Sequence, residues 1–469
     1  MKIFIGGEES RNQVALLPPC VEDYVPEGSP ARIIEEIIDK IDTGYLVRQY
    51  SGGGAPAYHP VAMLKVLIFA YSQGIRSSRK VAALLRHDLR FMFLAEGETP
   101  DFRTLCRFRR KHLEDFERLF LATVHMARKM GLVLLRHAAL DGTKLEADVS
   151  GGATYSRERL SKALEATQQE IAKILEEAEL TDQAEDRLYG KADGNEVPKK
   201  LRKKQARLRQ LECAQRELDK IERQSIAATD LESRVMKTTA GNRPAYNAQA
   251  VVDGAHQVIV AAAVTQEEND SAQFEPMMAE VQANLEALPE KVTADAGYYN
   301  QESLQCAESL KLDAYIAVSS KRKVEREYDA ERDEYRCPAG KALIFCRLRR
   351  REERTYRIYR CYHCSGCASA KECHGLSSRY KELWALGRED LRGAMIAKLK
   401  SDAGKQVYRQ RSGTVEPVFG NIKGNHGLRR LLLRGLAGAQ IEYLLGCIVH
   451  NIGKLMRFWP LGLPEAAPA

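Results

Sequence analysis

An α/β core behind a helical N-terminal region is the fold class the sequence predicts, and three observations predict it. Residues 1–130 carry apolar positions at helical spacing, broken by Gly and Ser turns. From Val133 onward, short apolar runs of strand length alternate with helical pattern, which signals a sheet packed against helices. Two segments of different composition, 155–229 and 325–375, interrupt that alternation as insertions.

The chain has 469 residues, too many for one ordinary core. Its 44% hydrophobic and 29% charged residues are those of a globular protein, and its net charge of +8 is compatible with a polyanionic partner without requiring one. No stretch approaches the roughly 20 apolar residues that span a bilayer. Glu8, Glu9 and Arg11 follow the first residues and leave no apolar signal-peptide core, so a cytoplasmic, nucleoid-associated protein is expected. Thiols stay reduced there. Six of the 11 cysteines fall between Cys337 and Cys373, which in that compartment reads as metal binding rather than as disulfides.

Along the chain, the run from His59 to Ile68 starts a helix with Pro60 in its first turn. Ser77 and Ser78 precede a second helix with Val81, Leu84 and Leu85. A third follows Thr99 and Pro100 and carries Leu105, Phe108, Arg109, Arg110 and Lys111. Short helices with a basic last member suggest a helix-turn-helix-like module, the alternative being a plain bundle with a solvated basic face. In the first reading Arg109, Arg110 and Lys111, with Arg86 and Arg107, are DNA contacts. Val133–Leu135 and Ala138–Leu140 form an apolar run that ends at Asp141-Gly-Thr-Lys. Further strands are expected at 246–252, 257–264, 291–295 and 313–318, with a helix over 274–288. Segment 155–229 reads as a helical hairpin broken by Gly190, Gly194 and Pro198. Helix resumes over 386–422 and 435–457, and residues 461–469 form a tail.

Asp141 and Asp295 each follow an apolar strand run. Two aspartates at neighbouring strand ends repel unless a cation neutralises them, and Mg²⁺ or Mn²⁺ suits such a pair. Taken singly, each is an ordinary turn or cap residue. Glu416 and Lys423 are seven residues apart and share one face of a helix that Val415, Val418, Phe419 and Ile422 would pack on the sheet. Glu416 would complete the metal site, while Lys423, Arg411 and Tyr408 would meet DNA phosphates. An amphipathic helix with surface ions is the plain alternative.

The cysteines Cys361-x2-Cys364-x2-Cys367-x5-Cys373 lie downstream of Cys337-Pro-Ala-Gly. Such steps suit tetrahedral Zn²⁺, and five thiols exceed four places. Cys337, Cys364, Cys367 and Cys373 form the preferred set, with Cys361 as alternative; an iron–sulfur cluster is the other reading.

The ordered series Asp141-Gly-Thr-Lys, Tyr246-Asn-Ala-Gln, Ala294-Asp295-Ala-Gly-Tyr and Val415-Glu416-Pro-Val-Phe-Gly-Asn-Ile-Lys423 resembles the motifs of bacterial insertion-sequence transposases of the DDE superfamily, type 1182 group. The resemblance spans nearly the whole chain. It implies an RNase H-like catalytic domain over 131–460, interrupted by the two insertions, and an N-terminal DNA-binding domain over 1–130. It also implies a metal-binding triad of Asp141, Asp295 and Glu416 holding two ions. Tyr408, Arg411, Glu416 and Lys423 are similar to the family's Tyr-Arg-Glu-Lys signature, although four residues separate Arg411 from Glu416 where related groups often have three, and Arg409 competes for that role. The implied activity is cleavage at the element's inverted-repeat ends and joining of the freed 3′-hydroxyls to target DNA. The implied partners are double-stranded DNA and a second copy of the chain. A nuclease without strand transfer and a zinc-containing DNA-binding regulator are the rival readings.

Overall fold

The computed structural model describes residues 20–50, 56–150, 152–189, 199–220, 223–318, 327–329, 331–337, 339–351, 354–364, 366–367, 373, 380–385 and 389–459. Among the described residues, seven α-helices come first: α1 (Pro30–Asp39), α2 (Gly44–Arg48), α3 (Pro60–Ser72), α4 (Ser78–Leu84), α5 (Leu89–Leu94), α6 (Phe102–Lys111) and α7 (Leu113–Lys129). Their starts are written locally. Pro30 follows the cap Ser29, whose Oγ accepts from Ala31 N at 3.3 Å, and Asp101 caps α6 by accepting from Thr104 N at 2.7 Å. Helix α3 is apolar all round and correspondingly central. Its one charge, Lys65, is neutralised by Glu35 at 3.1 Å and Asp39 at 2.8 Å.

The main sheet contains β1 (Ala138–Glu146), β4 (Arg234–Thr238), β5 (Gly241–Asp253), β6 (Ile259–Thr265), β7 (Lys291–Ala294) and β8 (Asp313–Ile316). Strand β5 pairs antiparallel with β6, β4 and β1, whereas β1, β7 and β8 run parallel. The order β6-β5-β1-β7-β8, antiparallel then parallel, agrees with the RNase H-like core that the resemblance implies. Helix α10 (Phe274–Leu285) links β6 to β7, and α11 (Gln301–Ser309) links β7 to β8. Strand β1 starts at Ala138 rather than Val133. Leu135 takes a left-handed φ of 55°, and its carbonyl accepts from Glu290 N at 2.7 Å, so the chain turns before the ladder begins.

The first insertion is a helical hairpin, α8 (Arg157–Tyr189) and α9 (Lys199–Lys220), whose base is closed by β2 (Thr154–Ser156) pairing antiparallel with β3 (Ser225–Ala227). Tyr155, Leu160, Leu164, Leu211 and Leu218 give it a small core of its own. The expected breakers Gly190, Gly194 and Pro198 lie outside the described residues. The second insertion is a five-stranded antiparallel sheet of β9 (Glu327–Asp329), β10 (Glu334–Arg336), β11 (Ala342–Arg351), β12 (Arg354–Cys361) and β13 (Lys381–Ala385).

Three helices close the chain: α12 (Glu389–Lys400), α13 (Asp402–Gly424) and α14 (Leu436–Phe458). The helix expected over 386–422 is two, because Ser401 caps α13 by accepting from Gly404 N at 3.0 Å. Helix α14 packs against α7, α3 and β6, so the N-terminal helices and the sheet share one continuous apolar core. No described helix is long and apolar enough to cross a membrane.

Candidate active site

Leu140 on β1 pairs with Ala294 on the parallel strand β7. One residue further on, Asp141 and Asp295 therefore emerge side by side at the carboxyl edge of the sheet. Asp295 caps the short turn that follows, its Oδ1 accepting from Gly297 N at 2.8 Å. Asp141 Oδ1 accepts from its neighbour Gly142 N at 2.9 Å, and its Oδ2 pairs with Arg411 Nη2 at 3.0 Å. Burial lifts the Asp141 carboxyl to about 6; Arg411 and the Gly142 N–H oppose that rise, and the charges of Asp295 and Asp270 add to it. Charge repulsion between carboxylates is thus part of the site as folded.

Helix α13 lies over this edge on Val415, Val418 and Ile422, all buried. Its sequence contains Pro417, which cannot donate to Gly413 O; that carbonyl accepts instead from Gln257 Nε2 at 2.8 Å, and the helix continues. Arg411 is mostly buried, and its Nε has no described partner. Tyr408 is half-buried one turn earlier; burial raises its hydroxyl, Arg411 lowers it, and Asp295 and Asp141 raise it further. Lys423 donates to Lys144 O at 3.1 Å, with its ammonium pKa lowered by burial and by Arg429. Glu416 is exposed on the same side of the helix as Lys423 and makes no described hydrogen bond or ion pair. Among the described residues, no three His, Cys, Asp or Glu side chains converge enough to hold one ion. Asp141 and Asp295 are adjacent, and the cation next to Asp141 is Arg411.

A fourth carboxylate stands in the site that sequence reasoning missed. Asp270 Oδ1 accepts from Asn247 Nδ2 at 2.7 Å, Gln249 Nε2 at 2.8 Å and Lys144 Nζ at 3.2 Å. Two glycines make room for it. A Cβ on Gly142 would lie 2.5 Å from Gln249 Nε2 and 2.8 Å from Asp270 Oδ1. One on Gly297 would lie 2.9 Å from Asp295 Oδ1 and 3.3 Å from Asp270 Oδ2. The motif Tyr246-Asn-Ala-Gln carried the signal, since Asn247 and Gln249 share the strand face that holds Asp270.

The expectation for Arg109 needs correction. It is buried, donating to Tyr71 Oη at 2.9 Å, Arg76 O at 3.1 Å and Ser78 Oγ at 3.2 Å, so it is not a DNA contact. Arg110 and Lys111 are exposed, with Lys111 Nζ 4.6 Å from the centre of the Tyr50 ring.

In the cysteine-rich sheet, Cys361 and Cys364 are buried with Tyr335, Leu343 and Tyr359, and Cys337 packs beside them. Two tight turns present these thiols. Lys341 N donates to Cys337 Sγ at 3.4 Å across the turn through Gly340, φ 71°; Cys367 N donates to Cys364 O at 3.2 Å through Gly366, φ 68°. Burial pushes the Cys361 thiol up to about 11. The residue kept as the alternative ligand is therefore the one packed with Cys337 and Cys364. Cys367 is half-buried at the end of the second turn.

Residues 336–456, from the cysteine-rich sheet through Glu416 and Lys423 into α14, match a family model described as a transposase DDE domain. Residues 19–111, the N-terminal helices through α6, match a second family model, described as a transposase domain. No curated protein matches the chain. A transposase match at each end, with an RNase H-like sheet between them that sets Asp141 beside Asp295, indicates an insertion-sequence DDE transposase.

Proposed function

We propose that this transposase binds the inverted-repeat ends of its insertion sequence, hydrolyses phosphodiester bonds there and joins the freed 3′-hydroxyls to target DNA. The observation that carries the reading is the pairing of Leu140 with Ala294, which puts Asp141 and Asp295 at one sheet edge. A carboxyl lifted by burial, with two neighbouring carboxylates adding to the rise, is a donor set that suits a hard divalent cation, Mg²⁺ or Mn²⁺. Asp141, Asp295 and Glu416 would hold it. A bound pair of such ions supplies activation of the attacking oxygen and stabilisation of the leaving one.

The chain's own residues supply the rest. Arg411, held 3.0 Å from Asp141, would set its guanidinium beside a phosphate bound at this edge. Lys423, anchored on Lys144 O, presents a second cation along α13 beside Glu416. Tyr408 adds a hydroxyl donor on the same helix. The N-terminal region, 1–130, would read the ends through Arg110 and Lys111, with Arg86 and Arg107, and a homodimer would hold two ends together. Residues 131–460 would carry the chemistry. Cys337, Cys364, Cys367 and Cys373 would bind a structural Zn²⁺, with Cys361, packed beside Cys337 and Cys364, as the alternative fourth ligand.

A second reading, a zinc-containing DNA-binding regulator, is favoured by one feature: Asp141 is already neutralised by Arg411. Metal-dependent cleavage of DNA carrying the element's own ends separates the two. Wild type should cut, while Glu416→Gln and Asp295→Asn should bind the DNA and leave it intact. Binding without cutting by all three proteins would favour the regulator, and undiminished cutting by either variant would sink the triad.

A further inference from the structure

From Lys341 to Cys361 the chain carries eight basic residues against two acidic ones, Glu352 and Glu353, which are outside the described residues. That charge sits on a two-stranded ribbon. Strands β11 and β12 pair antiparallel from Ile344–Arg360 to Arg351–Arg354, with a bulge at Cys346. The small core beneath them ends near Tyr359, and beyond it Arg347, Leu348, Arg349 and Arg350 are all exposed. A polar ribbon that only covers its own core has no need for such a run.

The arginines of the ribbon fall into two groups. On β12, Arg357 and Arg360 are neutralised by Asp333 and Glu382 respectively. On β11, Arg347 lies at the limit of an ion pair with Glu382, 3.9 Å, with half its side chain exposed. Among the described residues Arg349 and Arg350 have no carboxylate partner. Cross-strand pairing places Arg349 opposite Tyr356, and the Arg349 guanidinium lies 4.9 Å from the centre of the Trp384 ring, which is tilted against Tyr356 at 5.7 Å. A guanidinium stacked on an indole has its plane fixed while its N–H edge stays open, the arrangement that suits a phosphate oxygen at low ordering cost.

We infer that this ribbon is a second DNA-binding surface, separate from the carboxylate site, which takes the phosphate backbone of duplex DNA through Arg347, Arg349 and Arg350. The inference rests on the DNA-processing reading above. A two-stranded ribbon has the width to enter the major groove, and ten residues of strand reach about 30 Å. The ribbon is also tied to the chemistry by its insertion point. It leaves the core after β8, the neighbour of the Asp295 strand, and returns through α12 to the helix that carries Glu416.

Binding of the full-length protein to a fluorescein-labelled duplex of arbitrary sequence, titrated over a salt series, tests this. The triple variant Arg347→Gln, Arg349→Gln, Arg350→Gln should bind at least about tenfold more weakly, with a salt slope shallower by about 2–3. A control with the same loss of charge on α9, Arg202→Gln, Lys203→Gln, Arg209→Gln, should stay near wild type. Arg350→Glu alone should also weaken binding, at a side chain whose exposure leaves folding intact. Unchanged affinity and slope in the ribbon variants, or an equal loss in the α9 control, would overturn the assignment. If wild type cuts the element's ends while the ribbon variants bind like it, only the ribbon proposal fails. If wild type neither binds nor cuts DNA, the reading beneath it fails too.

Discussion

Asp270 accepts hydrogen bonds from Lys144, Asn247 and Gln249, and both glycines facing it lack the Cβ that would strike it. A carboxylate held this firmly orients what lies beside it, and losing such a partner costs activity rather than fold. Asp270→Asn keeps the volume but turns an amide N–H₂ towards three donors. End cleavage should fall about 10- to 100-fold with the thermal transition nearly unmoved; a wild-type rate would reduce Asp270 to a turn residue. Asp141 and Asp295 are legible in the sequence because each follows an apolar strand run. Asp270 is not, since Glu267-Glu-Asn-Asp270 is a loop whose acids a plain turn explains. Arg109 misleads for a different reason. It reads as one of three consecutive cations, yet it sits four residues after Leu105 and beside Phe108, on the helix face that packs inward.

Whole elements follow periodicity where their faces are uniform and depart from it where one residue intervenes. The strands β5 to β8 fall close to their apolar runs, and α14 follows its pattern to within a residue or so. Ser401 divides one apparent helix into two, and Leu135 delays β1, both through backbone geometry that apolar spacing does not record. Among the described residues the cysteine-rich sheet has a small apolar core of seven buried side chains. Small sheets of this kind commonly need a staple, and the turns through Gly340 and Gly366 present the thiols for one. Purified protein should therefore carry about one equivalent of zinc by atomic absorption. Cys364→Ser should lose it and lower the melting temperature. Of Cys361→Ser and Cys373→Ser, the one that also loses it identifies the fourth ligand. Full zinc content in Cys364→Ser would remove the site from this sheet.

At the scale of the whole molecule, the N-terminal helices and the RNase H-like sheet are joined through one buried carboxylate. Glu442 on α14 is fully buried. It accepts from Tyr71 Oη at 3.1 Å and from Leu432 N and Leu433 N at 2.5 and 3.3 Å, and it lies 3.6 Å from Arg109 and 3.8 Å from Arg76. Tyr71, Arg76 and Arg109 belong to the N-terminal helical region. Leu432 and Leu433 belong to the loop that docks on the end of β1, where Leu431 N donates to Glu146 O at 2.7 Å. Glu442 thus ties the N-terminal helices to the strand that carries Asp141. Removing one member of a buried charge cluster strands the others, which costs about 3–5 kcal/mol. Glu442→Ala should lower stability by that amount in chemical denaturation, and because the apolar core is continuous through α14, both halves should still unfold together. In a Trp384→Phe background, fluorescence of Trp459, whose Nε1 donates to Glu36 at 2.7 Å in the N-terminal region, reports that contact, and far-ultraviolet circular dichroism reports the whole chain. Coincident transitions shifted to lower denaturant are the expected result. Two separated transitions in the wild type, or a variant as stable as wild type, would show that the helices and the sheet fold as independent units and that Glu442 joins nothing.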